Sequence, residues 1–453
     1  MDAEGWAIAL EPIMLIRDRW PIRVDKSVRA VPLVIFTIAI VVRLILLSQI
    51  SHDQLLYGTL TAGVLKSGDE GIQVAVSLLQ KGRFSDPFFA PTGPTAHVPP
   101  SFPATTALIF YIFGMGFAGA VVRNLFNICG YALTFAVLPA ASAALGIRRR
   151  VGAFAGLIAA LYPILRSTEV FRGRDEWLAA LLLLGLTVTI FRLIEKPSLG
   201  LAAVYGLGWG GLMYVFPSTL TILPVHLVIF LICAHRYSWI LRAKCCGVAV
   251  VLIVALVVPW AMRNRLTLGG WIPMRDNFGL ELLVSNGPDA SASQQGNQER
   301  ICRVHPTCSA AAALRVSELG ELRFNREALH QAIEWITNNP RSFWRLTLHR
   351  MVFFWGDLPS NRGTFLVRAI LSFAAFIGLA LMWRNGLKLQ AALFGAILFA
   401  YPLLYYIVQY SNRYVATILF AILIPAAFTF ARLADFLREP AGPPVEIISD
   451  NAT

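Results

Sequence analysis

Two carboxylates stand side by side at Asp69–Glu70, in the stretch KSGDEGIQVAVSLLQKGRFSDPF (Lys66–Phe88). A second acid pair, Asp175–Glu176, follows Arg172 and Arg174 in the short polar stretch STEVFRGRDEW (Ser167–Trp177). Arginines recur in other polar segments: Arg263 and Arg265 in PWAMRNRL, Arg275 in PMRDN, Arg345 and Arg350 in FWRLTLHRMVFFW, and Arg413 in SNRY. Carboxylates can take a proton from a hydroxyl, and guanidinium forks suit phosphate oxygens. Each group also has a plainer role. Asp69 and Glu70 would complement the dipole of a helix they head. Arg172, Arg174, Asp175 and Glu176 would make local salt bridges, and an arginine at a membrane face would meet lipid headgroups. Glu70 and the Asp175–Glu176 pair are also candidates to orient an acceptor or to hold a divalent cation, Mg or Mn. Hard cations need several oxygen ligands, and the sequence leaves metal dependence open.

These residues must be positioned by membrane helices. Of the 453 residues, 57% are hydrophobic and only 14% charged, far too apolar for a soluble chain of this length. Apolar runs long enough to cross a bilayer recur throughout, so the expected fold class is an all-α polytopic membrane protein. The net charge of +13 then reads as topology, and no basic stripe interleaved with aromatics points to nucleic acid. About ten spans are predicted, near 31–49, 121–146, 151–168, 177–194, 199–216, 219–235, 245–262, 365–383, 388–408 and 414–433. Arg17, Arg19, Arg23, Lys26 and Arg29 put residues 1–30 in the cytoplasm, and Arg148–Arg150 mark another inside loop. That requires 102–117, short and led by Pro99, Pro100 and Pro103, to be a juxtamembrane or re-entrant helix. The first span is expected to be an uncleaved anchor, and 434–453 a disordered cytoplasmic tail. Two large outer loops result, 50–120 and 263–364. In the first, Ile72, Ala75, Val76 and Leu79 share a helical face opposite Gln73, Ser77 and Gln80, predicting an amphipathic interfacial helix headed by the acid pair.

Cys129, Cys233, Cys245 and Cys246 fall in or beside spans, where a buried thiol is ordinary. Cys302 and Cys308 share an outer loop and are positioned either to pair there or to pack as free thiols. The acids and arginines all fall toward one membrane face. That pattern fits a reaction between a lipid phosphate-linked donor and a hydroxyl acceptor.

The chain, from about 31 to 433, resembles the GT-C-fold glycosyltransferases that use polyprenyl-phosphate sugars. More narrowly, it is similar to the bacterial relatives of protein O-mannosyltransferases and lipid A aminoarabinose transferases. The resemblance is carried by Asp69–Glu70, by GPTAHVPPSFPA with Phe113–Gly114, by Pro259–Gly287, and by LGELRFNREALHQAIEWITNNPRSFWRLTLHRMVFFW. The last outer loop departs from it, with Val415 after Arg413–Tyr414 where the families often carry a further arginine and a proline. The resemblance implies a polyprenyl-phosphate-linked sugar as donor, a protein, lipid or polysaccharide acceptor, and Asp69 as catalytic base. It implies contact with membrane lipids and a multi-pass place in a bacterial inner membrane, with the active site on the periplasmic face. Arg263, Arg275, Arg350 and Arg413 are the expected phosphate-binding residues. The rival class is a transporter or flippase of lipid-linked envelope precursors. It calls for charges deep in several spans and for repeat symmetry; Arg43 is the one clear mid-to-outer intramembrane charge, and the other charges cluster on one face.

Overall fold

The computed structural model describes residues 27–51, 60–61, 64–65, 69–88, 90–162, 168–358 and 362–438. The N-terminal segment up to Lys26 and the tail from 439 onward, both expected in the cytoplasm, lie outside the described residues. Helix dominates, and the described strands are one two-residue hairpin, Leu60–Thr61 with Val64–Leu65.

Each of the ten predicted spans coincides with helix. Seven helical runs are long and apolar enough to cross a membrane: Ala30–Ser48, Phe117–Ala144, Glu176–Glu195, Trp239–Leu268, Arg362–Arg384, Lys388–Ile407 and Leu419–Leu437. Leu199–Val215 and Pro217–Cys233 are shorter apolar helices. Arg149–Leu161 is 13 residues long, and 163–167, which would extend it, are outside the described residues. Ser101–Phe113 is also 13 residues long. At 1.5 Å per residue it spans about 20 Å, well short of a bilayer core of about 30 Å.

Proline explains where several runs break or bend. Pro139 follows the interruption at Val137, and Pro402 separates Lys388–Ala400 from Leu403–Ile407. Bare glycines set how closely the spans approach. A Cβ on Gly206 would lie 2.6 Å from the Ala249 carbonyl oxygen, and one on Gly378 only 2.1 Å from that of Pro425. Lipid tails are as apolar as leucine, so close backbone packing takes over from hydrophobic burial in holding helices together.

Outside the spans, 263–364 is folded rather than extended loop. It carries the helices Phe278–Ser285, Gln298–Val304, Ala310–Leu319, Glu321–Asn338 and Pro340–Gly356. The amphipathic helix of the first outer loop runs Glu70–Lys81 and ends at Gly82, whose φ of 64° closes it in the left-handed region. Ile72 and Ala75 are buried as the pattern predicts. Ser77 is buried too, where the pattern put it on the wet face. Its hydroxyl meets that of Ser85 at 2.7 Å, and this partner satisfies the polar atom.

Candidate active site

Asp69 is the N-cap of the Glu70–Lys81 helix. Its Oδ1 accepts from the amides of Gly71 at 3.0 Å and Ile72 at 3.2 Å, so the helix-dipole role is real. The second role is present in the same residue. Arg174 Nε donates to Asp69 Oδ2 at 2.9 Å, and Arg174 Nη2 reaches Asp69 Oδ2 at 2.8 Å and Glu70 Oε2 at 3.1 Å. Two polar stretches a hundred residues apart are thereby joined by one guanidinium, which also lies over the Phe102 ring at 5.6 Å. The backbone amide of Arg174 donates to Glu176 Oε2 at 2.8 Å. The positive charge among these acids is the Arg174 side chain.

Asp175 is buried, and its Oδ2 has no hydrogen-bond partner among the described residues. Burial, then the neighbouring Glu176 carboxylate, pushes its pKa up to about 7. Glu70 goes the other way. Burial alone would raise it, but Arg174, then His305 and His97, hold it well below the usual carboxylate range. Arg172 lies in the short π-helical turn Thr168–Arg172, and its side chain is outside the described residues.

A cavity of about 260 Å³ opens beside this cluster. Arg174, Asp175, Glu176, Arg275 and Arg413 line it, with Phe102, Tyr405 and Tyr414 among the apolar and aromatic walls. Arg413 lies 5.5 Å from the Tyr414 ring, and its buried Nε has no hydrogen-bond partner among the described residues. Arg275 donates through Nε to the His97 carbonyl at 2.6 Å and faces Glu281 at 3.9 Å.

Three structures of the oligosaccharyltransferase of Archaeoglobus fulgidus share this architecture. The complex with Zn and sulfate matches with a TM-score of 0.52 at 11% identity, covering 90% of this chain and 49% of that one. The apo form gives 0.52 at 12%, covering 90% and 51%. AglB in complex with an inhibitory peptide and a dolichol-phosphate gives 0.53 at 13%, covering 91% and 51%. The chain has the GT-C fold. It spans about half the length of these structures. No family model and no curated protein matches the sequence.

Within this GT-C module, two of the four expected phosphate arginines are placed elsewhere. Arg350 is fully buried, and its guanidinium donates to the carbonyls of Ser285 and Ile407 and to Asn286 Oδ1. Arg263 donates to the carbonyls of Thr95 at 2.6 Å and Phe84 at 2.7 Å. Neither lines the cavity. Arg263 works with Glu321, which accepts from Thr95 Oγ1 and the Ala96 amide, to fasten residues 84–98 to the second outer loop. Buried backbone carbonyls need donors, and spacing alone cannot distinguish an arginine that serves them from one that serves a ligand.

Sequence reasoning passed over His97 and His305. Donor atoms of Glu70, His97 and His305 all lie within 4.8 Å of one another, and both imidazoles are buried. Burial holds the His97 imidazole well below its usual pKa. His97 sits in HVPP, inside a stretch singled out for its prolines, and His305 lies between Cys302 and Cys308, which are disulfide-bonded in the structure. Histidines also stand at His52 in the first outer loop and at His330 and His349 in the second, so residue type alone could not single out this pair.

Proposed function

We propose that this chain is a membrane glycosyltransferase that moves a sugar from a polyprenyl-phosphate donor to an acceptor hydroxyl. The observation that carries this reading is the convergence of Asp69–Glu70 with Arg174–Glu176 beside a cavity lined by Arg275 and Arg413. Arg275 and Arg413 hold the donor phosphate and stabilise the charge that grows on it as the glycosidic bond breaks. The acceptor hydroxyl attacks the anomeric carbon from the face opposite the phosphate, which inverts that centre. Asp69 takes the hydroxyl proton, with its carboxylate aimed by the helix cap and by Arg174. Ionised carboxylates offer about four acceptor positions, so these contacts leave capacity for a substrate hydroxyl.

Asp175 is a second reading for the base, favoured by its unpartnered Oδ2, its place on the cavity wall and its raised pKa. The bound dolichol-phosphate and peptide of the archaeal neighbour support a polyprenyl-phosphate donor and make a protein acceptor the first to try, ahead of a lipid or polysaccharide. The Zn in the archaeal complex with Zn and sulfate supports a divalent cation for the fold. In this reading the site works on the periplasmic face of a bacterial inner membrane.

The test is genetic and chemical together. In cells deleted for the gene, a polyprenyl-phosphate sugar should accumulate while one sugar disappears from envelope glycoconjugates by mass spectrometry. Wild-type chain should restore both, and Asp69→Asn should restore neither. An unchanged lipid-linked pool whose sidedness alone is altered would instead identify a flippase.

A further inference from the structure

We infer that Asp357 and Arg368, acting through Tyr410 and Asn412, are positioning residues that hold Arg413 on the cavity wall. The inference rests on the glycosyltransferase reading, in which Arg413 grips the donor phosphate. Arg413 is the second residue of the short helix Asn412–Ala416, directly after the last outer loop. Its Nε is buried with no hydrogen-bond partner among the described residues. The backbone at 412–413 therefore sets where the guanidinium points.

That backbone is clamped from two sides. On one side the second outer loop pairs with it in the manner of a strand. The Tyr410 amide donates to the Ala292 carbonyl at 2.8 Å, and the Gln294 amide donates to the Tyr410 carbonyl at 2.9 Å. The Gln409 amide donates to Ser285 Oγ at 2.7 Å. On the other side lies a knot of four polar side chains. Asp357 Oδ1 accepts from the Tyr410 hydroxyl at 3.0 Å and stands 3.4 Å from Arg368 Nη2. Arg368 donates to Asn412 Oδ1, to the Tyr410 hydroxyl and, at 2.8 Å, to the Phe353 carbonyl. The Asn412 amide nitrogen lies 3.4 Å from Asp357 Oδ2, so this one side chain meets both charges. Asp357, Arg368 and Tyr410 are buried.

Buried ion pairs add little stability that apolar packing could not supply. What four interlocked groups supply is a single geometry, one residue before Arg413. The backbone of Asp357 argues the same point. It closes the Pro340–Gly356 helix at φ 80° and ψ −175°, a region open almost only to glycine. Glycine would end this helix without strain, but it would leave Arg368 without a counter-charge and Tyr410 without an acceptor. Strain of this kind persists where the surrounding structure fixes it, and it gathers beside functional sites.

The test uses the full chain in detergent and its binding of a sugar-free polyprenyl monophosphate, so neither the sugar nor the acceptor need be known. Arg413→Ala should weaken binding about tenfold or more. Tyr410→Phe and Asp357→Gly should each weaken it about three- to tenfold. In the Arg413→Ala background Tyr410→Phe should cause no further loss, because nothing is left to position. Tyr406→Phe, which removes a hydroxyl bonded to Trp355 at 2.8 Å, should leave binding unchanged. Full additivity of Tyr410→Phe with Arg413→Ala overturns the inference alone. So does wild-type binding by folded Tyr410→Phe and Asp357→Gly proteins. If Arg413→Ala itself binds as tightly as the wild type, the phosphate role of Arg413 falls, and the inference falls with it.

Discussion

Replacing Arg174 by alanine removes the contact that joins the two acid-bearing loops. The loss comprises a 2.9 Å hydrogen bond and a 2.8 Å ion-pair contact to Asp69, and a 3.1 Å contact to Glu70. The side chains of Arg174 and Asp69 are 15% and 9% exposed, close to a buried pair. Deleting one partner of a buried pair costs about 3–5 kcal/mol, because the other charge is left without compensation. Two features reduce that figure here. Asp69 keeps its two cap amides, and Glu70 keeps the Thr307 hydroxyl. Arg174 itself lines the adjoining cavity, so its removal would open a path for water to the two carboxylates. The expected cost is therefore about 2–3 kcal/mol. Arg174→Lys keeps the charge without the fork and should recover roughly half of it. The measurement is unfolding of the detergent-solubilised protein by denaturant, run as a double-mutant cycle with Glu70→Gln. A coupling of about 1–2 kcal/mol is expected, since the two residues touch. Strict additivity, or a cost for Arg174→Ala under about 0.5 kcal/mol, would refute the reasoning that this guanidinium holds the loops together.

Asp69→Asn should fold and bind donor, because asparagine also caps helices, while transfer falls by about 10²–10⁴-fold; near-normal turnover in single-turnover assays would remove Asp69 from the role of base. If Asp175 is the base, its carboxylate fraction grows as pH rises through about 7, so turnover should climb from acid to neutral pH, and Asp175→Asn should abolish that limb. The same raised pKa means that the folded chain binds this proton more tightly than the unfolded one. The contribution of Asp175 to stability should therefore fall as pH rises from about 4 to 7. Cys302 and Cys308 should resist alkylation in the unreduced protein and each accept one label after reduction, read by intact mass; labelling of both without reductant would exclude the bond.

Much of this arrangement was legible because hydrophobicity and charge act locally. A run of apolar residues must be helical in a bilayer, since no water is present to satisfy its backbone, and each predicted span duly falls on helix. The period of Ile72, Ala75 and Leu79 likewise located the acid-bearing helix, and the acid pairs themselves were visible as expensive residues beside a membrane. What remained hidden depends on long-range pairing. Nothing near Arg174 in sequence announces Asp69 as its partner. Arg350 and Arg413 look alike in one dimension. In the fold, one is surrounded by backbone carbonyls and the other faces a cavity. His97 and His305 are 208 residues apart, and the two cysteines that flank His305, Cys302 and Cys308, are taken up by their disulfide.

Arg43 carries a consequence for biogenesis. In the finished fold its guanidinium is fully buried against Glu169 and the carbonyls of Ala159 and Ala160. Glu169 is made 126 residues later, so the ribosome delivers the first span to the translocon with its arginine unneutralised. An arginine near the centre of a nascent span costs about 2.5–3.5 kcal/mol on insertion, which a segment of mean hydropathy 2.8 can absorb. Lateral release into lipid and final docking are then separate events. The first helix waits at the bilayer with its charge drawn toward the headgroups, and emergence of the Thr168–Arg172 turn is the moment at which it can lock.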